Sequence, residues 1–228
     1  MSSKTYNLFC PLAMACEVLE PRWTLLILAE MWDGSTRFNE IRRGVPGISP
    51  TLLSKRLKEM EAQGLVERLE DPAKGTVDYV RTPMAIELEP AMTLLGGWAY
   101  RNMQASVALE DPNPDYLMWQ IRRTIDRTLL PQRRVVIRFH FANLGDDQAN
   151  YWLIAKPGAP LDLCMSDPGF DVDLFVEAEF KALTSAWMGY SSLQAEISHD
   201  RIFLSGDPLL VRAMEQWLGK CPHAAAAE

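Results

Sequence analysis

Between Arg37 and Lys58 the chain sets out Arg37, Arg42, Arg43, Lys55, Arg56 and Lys58 against a single acid, Glu40. Small hydroxyls, Ser49, Thr51 and Ser54, lie just before the last three cations. Guanidinium and ammonium groups neutralise phosphates, and short hydroxyl side chains reach both phosphates and base edges. The chemistry on offer is therefore recognition of a polyanion rather than bond making. Spacing sharpens this. Thr51, Lys55 and Lys58 recur at i, i+4 and i+7, one face of a helix, with Ser54 and Arg56 on its flanks. Leu53, Leu57 and Met60 recur in the same way on the opposite face, a stripe that must bury against other helices. Taken alone, the pattern fits a solvated amphipathic surface helix as well as a nucleic-acid reader.

Other chemistries find less support. His140, His199 and His223 stand at no metal-ligand spacing, and Cys10, Cys16, Cys164 and Cys221 include no pair at such a spacing. No nucleophile elbow or phosphate loop occurs. Asp171 and Asp173 alternate with Val172 and Leu174, as on the wet face of a strand. The expectation is no catalytic activity, no metal and no cofactor. Cys10 precedes Pro11 at the mouth of a helix over roughly Leu12 to Leu19. A thiol there can react as thiolate, or it can serve as a small buried apolar group.

The surrounding elements are those that position a reading helix. Ser49-Pro50 is a helix start, a hydroxyl N-cap followed by a residue whose missing N–H is harmless in the first turn. Gly64 ends that helix. Upstream, Arg22-Trp23-Thr24 opens the apolar run Leu25 to Met31, and Phe38, Ile41 and Val45 form a short stripe closed by Gly44 to Gly47. Two helices and a tight Gly/Pro turn before a cationic helix make a helix-turn-helix. Leu65 to Asp71 and Val77 to Thr82 then flank Pro72-Ala73-Lys74-Gly75, a hairpin with a basic tip at Lys74. The layout is a winged helix.

The wording CPLAMACEVLEPRWTLLILAEMWDGSTRFNEIRRGVPGISPTLLSKRLKEMEAQGLVER resembles the HxlR-type family of bacterial transcriptional regulators. The Cys-Pro start, the Trp-Thr-Leu-Leu-Ile-Leu helix, Arg-Phe-Asn-Glu-Ile and Ile-Ser-Pro all match, over about residues 8–105. The resemblance implies that Ser49 to Lys58 is the recognition helix, and that double-stranded DNA is the partner. It also implies homodimerisation through the first helix and the imperfect helix Pro83 to Met103, where Trp98 and Tyr100 serve either as anchors or as core. An inverted-repeat operator follows from such a dimer. Some relatives use a cysteine at the place of Cys10 as a redox or electrophile sensor.

Glu110-Asp111-Pro112-Asn113-Pro114 reads as a linker, dividing the chain into 1–109 and 110–228. The second part shows a helix Tyr116 to Leu130 and an alternating strand Arg134 to Ala142. Further strands follow at Tyr151–Lys156, Leu161–Met165 and Phe170–Val176. Helices at Ala178–Trp187 and Ser191–Ala195, a strand Arg201–Leu204 and a helix capped by Asp207-Pro208 complete it. The expected class is α+β, a winged helix-turn-helix domain followed by an antiparallel sheet with segregated helices. DVDLFVEAEFKALTSAWMGYSSLQAEISHDRIFLSGDPLLVRAM resembles sterol-carrier-protein-like domains, which implies an apolar chamber for a small hydrophobic ligand. Trp119, Phe139, Phe141, Trp152, Phe175, Trp187 and Met188 would line it, or would simply fill a core.

The net charge of −7 is unevenly spread: residues 1–105 carry 12 Lys/Arg against 13 Asp/Glu, and residues 106–228 carry 11 against 17. Acidity resides in the second half, which argues against a nonspecific DNA coater, while the local field around Arg37 to Lys58 still favours phosphates. No run of about 18 apolar residues is present, and Met1 to Asn7 lacks the apolar core of a secretory signal. The expectation is a cytoplasmic, homodimeric, effector-responsive transcription factor with no membrane partner. The alternative is a lipid or acyl carrier whose first half only dimerises.

Overall fold

A computed structural model of the chain describes residues 6–103, 113–145 and 148–225. Contacts divide it into two units, Met1–Leu95 and Gly96–Glu228. The expected linker at Glu110 to Pro114 lies outside the described residues except for Asn113 and Pro114.

In the first unit, α1 (Pro11–Leu19) and α2 (Thr24–Trp32) precede α3 (Phe38–Gly44) and α4 (Pro50–Ala62). Then β1 (Val66–Asp71) and β2 (Thr76–Arg81) form an antiparallel hairpin in the register Val66↔Arg81 to Asp71↔Thr76. Ile27, Leu28 and Met31 of α2, Ile41 of α3 and the α4 stripe Leu53, Leu57 and Met60 are all buried in one cluster. The apolar periodicities of the three helices thus meet on one core.

The stretch expected as one helix from Pro83 is two. Helix α5 (Pro83–Ile86) is capped by Thr82, whose hydroxyl oxygen accepts from the Ala85 N–H at 3.3 Å. Helix α6 (Glu89–Asn102) follows. Pro90 falls in the first turn of α6, where a missing N–H breaks no hydrogen bond. The imperfection of this stretch is a break at Glu87-Leu88.

The second unit starts with the last half of α6 and α7 (Pro114–Thr124). Its sheet comprises β3 (Val135–Phe141), β4 (Asn150–Ala155), β5 (Asp162–Cys164), β6 (Leu174–Ala178) and β7 (Ile202–Gly206) in the order β5-β4-β3-β6-β7. The helices α8 (Phe180–Trp187), α9 (Leu193–Ser198), α10 (Pro208–Arg212), α11 (Met214–Leu218) and α12 (Pro222–Ala225) complete it.

The sheet corrects the antiparallel expectation: β3 and β6 pair in parallel, Ile137↔Leu174 to Phe141↔Ala178. The cause is the stretch after β5. Phe170 and Val172, expected in a strand, instead pack on Val136, Trp152 and Ile154, covering one sheet face. The chain thereby recrosses the sheet and re-enters at the same end as β3. The other face takes Val135, Ile137, Phe139 and Phe141, together with Leu117 and Ile121 of α7, Leu183 and Trp187 of α8, and Met214 and Trp217 of α11. Helices α7, α8 and α11 pack on that face.

Two helix ends also differ from expectation. Helix α7 stops at Thr124 because Ile125 is extended (ψ 120°), and the Asp126 carboxylate then accepts from the Thr128 N–H and hydroxyl to begin a 3₁₀ turn, Arg127–Leu129. Leu129 is consequently exposed instead of continuing the stripe. The last expected helix is divided into α10 and α11, and α12 follows it. At the end of α11, Gly219 (φ +69°) lies against Thr124, whose carbonyl oxygen would be 2.3 Å from an added Cβ, a site only glycine fits.

Candidate nucleic-acid interface

Helix α4 is set by its buried side. Leu53, Leu57 and Met60 are at most 1% exposed, which fixes the rotation of the helix and leaves Pro50, Thr51, Ser54, Lys55, Lys58, Glu59 and Ala62 on one outward surface. The Ser49 hydroxyl oxygen accepts from the Leu52 N–H at 3.2 Å, closing the N-terminus. Thr51, Lys55 and Lys58 therefore stand together on the outer face, with Ser54 half-buried beside them.

Their charges are not equally available. Glu59, one residue beyond the cation-rich window, accepts from Arg56 Nη1 at 2.5 Å and lies 3.8 Å from Lys55 Nζ. Arg56 is only 20% exposed, and its Nε is buried with no hydrogen-bond partner among the described residues. Lys58 is exposed with no ion-pair partner among the described residues.

Helix α3 and its turn are locked to α2 by a residue that composition alone does not flag. Glu30, 2% exposed, accepts from the Ser35 hydroxyl at 2.5 Å. A Cβ on Gly44 would fall 1.8 Å from its carboxylate. The acid interrupting the apolar run Leu25 to Met31, together with the glycine closing the next helix, is the available sequence signal. Glu40 reaches back to the N–H groups of Thr36 and Arg37 at 3.2 and 3.1 Å. Arg37 turns to the wing, 3.7 Å from Asp78, which also accepts from the Thr36 hydroxyl. Arg42 and Arg43 are exposed on the last turn of α3, the end where a cation is favoured by the helix dipole.

The wing is less basic than its tip suggests. Lys74 pairs with Asp71 at 3.1 Å, and the Lys74 ammonium, followed by the Lys74 and Ala73 N–H groups, holds the Asp71 carboxyl below the usual carboxylate range. Arg68 is engaged by Glu70, and Glu67 is exposed on the same strand.

Helix α1 buries none of its residues. Leu8, Phe9, Leu12 and Met14 are exposed at its start, and Leu94 and Leu95 are exposed on α6. Cys10 is exposed at the α1 N-cap, and the N–H groups of Ala13 and then Leu12 lower its thiol pKa. Trp98 is exposed, whereas the Tyr100 hydroxyl donates to the Met188 carbonyl oxygen.

The seven expected chamber residues do not converge. Phe139, Phe141 and Trp187 are buried in the helix-covered core, and Met188 packs against it. Trp152 is on the opposite sheet face. Phe175 is exposed there, at 41%. Trp119 is buried under two guanidinium groups, those of Arg122 and Arg123 at 4.0 and 5.1 Å from its ring centroid. No group of acids, cysteines and histidines placed to hold a metal occurs among the described residues. None of the described helices is long and apolar enough to cross a membrane.

Residues 18–107 match the family model described as HxlR-like helix-turn-helix. The chain is 36% identical over 94 residues to the uncharacterized HTH-type transcriptional regulator YvaP of Bacillus subtilis (strain 168), covering 40% of this chain and 85% of that protein. It is 37% identical over 97 residues to the HTH-type transcriptional regulator YodB of the same organism, covering 41% and 85%. With the uncharacterized regulator YtfH of Escherichia coli (strain K12) it shares 30% identity over 112 residues, 47% of this chain and 89% of that one. A solved structure of reduced YodB from B. subtilis aligns over 43% of this chain and 99% of its own, at 33% identity and a TM-score of 0.39. By its winged-helix half, the chain belongs to the HxlR-like helix-turn-helix family of transcriptional regulators.

Proposed function

We propose that the protein is a homodimeric, operator-binding regulator in the cytoplasm that reads the major groove with α4. The observation that carries this is the sidedness of that helix: one face fully buried, the other presenting Thr51, Ser54, Lys55 and Lys58. A helix pinned by its core face and carrying hydroxyls and cations near its N-terminus suits the major groove. Arg42, Arg43 and Lys74 act as phosphate contacts beside it, Lys74 after release from Asp71. Arg37 and Arg56 position their neighbours, since both are held by acids of their own unit.

Self-association uses α1 and the exposed leucines of α6. An apolar helix with no buried residue is otherwise an unfavourable surface, and two-fold symmetry doubles the contacts to an inverted repeat.

In the second unit an apolar effector would enter the helix-covered core around Phe139, Phe141, Trp187 and Met188, displacing side chains as it does so. The domain division we assign is 1–109 and 110–228, with α6 contributing to both folding units. Electrophoretic shift of a promoter duplex in excess nonspecific competitor tests the reading. A shift that survives competitor supports it, and one abolished in parallel with bulk binding supports a carrier with an incidental cationic face.

A further inference from the structure

Helix α6 runs unbroken through Gly96-Gly97, although glycine is the poorest helix former after proline. For Gly96 the reason is steric: an added Cβ would lie 2.3 Å from Cε1 and 2.7 Å from Nε2 of His223. The imidazole carried by α12 therefore rests on the helix backbone. One turn later the Tyr100 hydroxyl donates to the Met188 carbonyl oxygen at 2.7 Å. The Tyr100 ring stacks on Tyr190, centroids 5.4 Å apart and planes 14° from parallel. Between them Gly189, at φ +76°, leaves 3.1 Å from its would-be Cβ to Ala224 and 3.4 Å to the Tyr100 hydroxyl.

All these groups belong to the second unit. Two of its segments, Met188–Tyr190 and His223–Ala224, thus grip the second half of α6. The first half of the same helix, Glu89–Leu95, is counted in the winged-helix unit. A hydrogen-bonded helix transmits a displacement or a loss of order along its length, and neither segment is part of the candidate DNA-contacting surface.

Resting on the operator-binding reading above, we propose that the second unit controls operator affinity through α6, with the Met188–Tyr190 turn and His223 as the grip. A ligand or partner that rearranged either segment would bias the order of Glu89–Leu95. Coupling requires that the two states of the grip differ in their effect on operator binding.

Tyr100→Phe removes one hydroxyl, and His223→Ala removes the imidazole from Gly96. Neither side chain is in the DNA-contacting set. Both full-length variants are compared with wild type by hydrogen exchange of α6 amides and by affinity for the tightest duplex selected from a random-sequence pool. The expected result is faster exchange in Glu89–Leu95 as well as in Gly96–Asn102, with operator affinity changed roughly fivefold or more. Faster exchange confined to Gly96–Asn102, or affinity within about twofold of wild type, overturns the proposal. A wild-type protein that selects no sequence refutes the operator reading and, with it, this proposal, whatever the exchange pattern.

Discussion

Lys58→Ala isolates the one α4 cation with no ion-pair partner among the described residues. Lys55 lies 3.8 Å from Glu59 and Arg56 lies 2.5 Å from it, so each must be released before it can take a phosphate. An exposed i,i+4 pair is worth ~0.3–0.5 kcal/mol, about a twofold factor in binding. Lys58 carries no such deduction. One phosphate contact contributes a slope of about −0.9 to log K against log salt. Between roughly 50 and 200 mM salt the affinity deficit of Lys58→Ala should then shrink about 3.5-fold. Anisotropy titrations of a labelled operator at four salt concentrations measure this directly. The variant's slope should be shallower by about 0.9, with stability within ~0.5 kcal/mol of wild type because the side chain is exposed and has no ion pair among the described residues. Glu59→Gln should move the other way, raising affinity about twofold as Lys55 and Arg56 are freed. Parallel log–log lines for wild type and Lys58→Ala would refute the phosphate role and remove the outer face of α4 from the interface.

Gly44→Ala drives a methyl into the Glu30 carboxylate, 1.8 Å from the added Cβ; a displaced buried acid should lower stability by about 1–3 kcal/mol. Chemical denaturation with an unchanged midpoint would show that Glu30 relocates freely. Leu12→Asp, at a site 72% exposed, should convert the dimer to monomer in light scattering without lowering helicity, and a retained dimer mass would place the interface elsewhere. For Cys10, a thiol pKa lowered by the Ala13 and Leu12 N–H groups means more thiolate at a given pH. Its alkylation by iodoacetamide should therefore rise through a midpoint below that of an ordinary thiol and outpace that of buried Cys221. A midpoint at or above the ordinary range would leave Cys10 an inert capping residue.

The winged-helix half was legible because each of its elements carries a local signal. The stripe Leu53, Leu57, Met60 and the Ser49-Pro50 start are enough to place α4, its rotation and its outward residues. Glu59, at i+3 from Arg56 and i+4 from Lys55, holds both cations at a spacing that a helix makes local. What the local signals could not show was pairing across space. Asp78 reaches Arg37 from 41 positions away.

In the second half the strands were legible from alternation, whereas their direction was not. Whether β6 runs with β3 or against it depends on Phe170 and Val172 lying across the sheet, and an alternating pattern is identical in either direction. The aromatic chamber failed to assemble for a related reason. Trp152 and Phe175 occupy the sheet face opposite Phe139 and Phe141, since strand pairing sets the face and residue type does not.

Two copies of α4 are expected to read one operator. Hydroxyl-radical footprinting of the full-length protein on its selected duplex tests it most directly. The expected pattern is two protected half-sites on one face of the duplex, related by two-fold symmetry and centred about 10 base pairs, or a multiple of that, apart. A single protected half-site, or uniform protection without sequence boundaries, would contradict it.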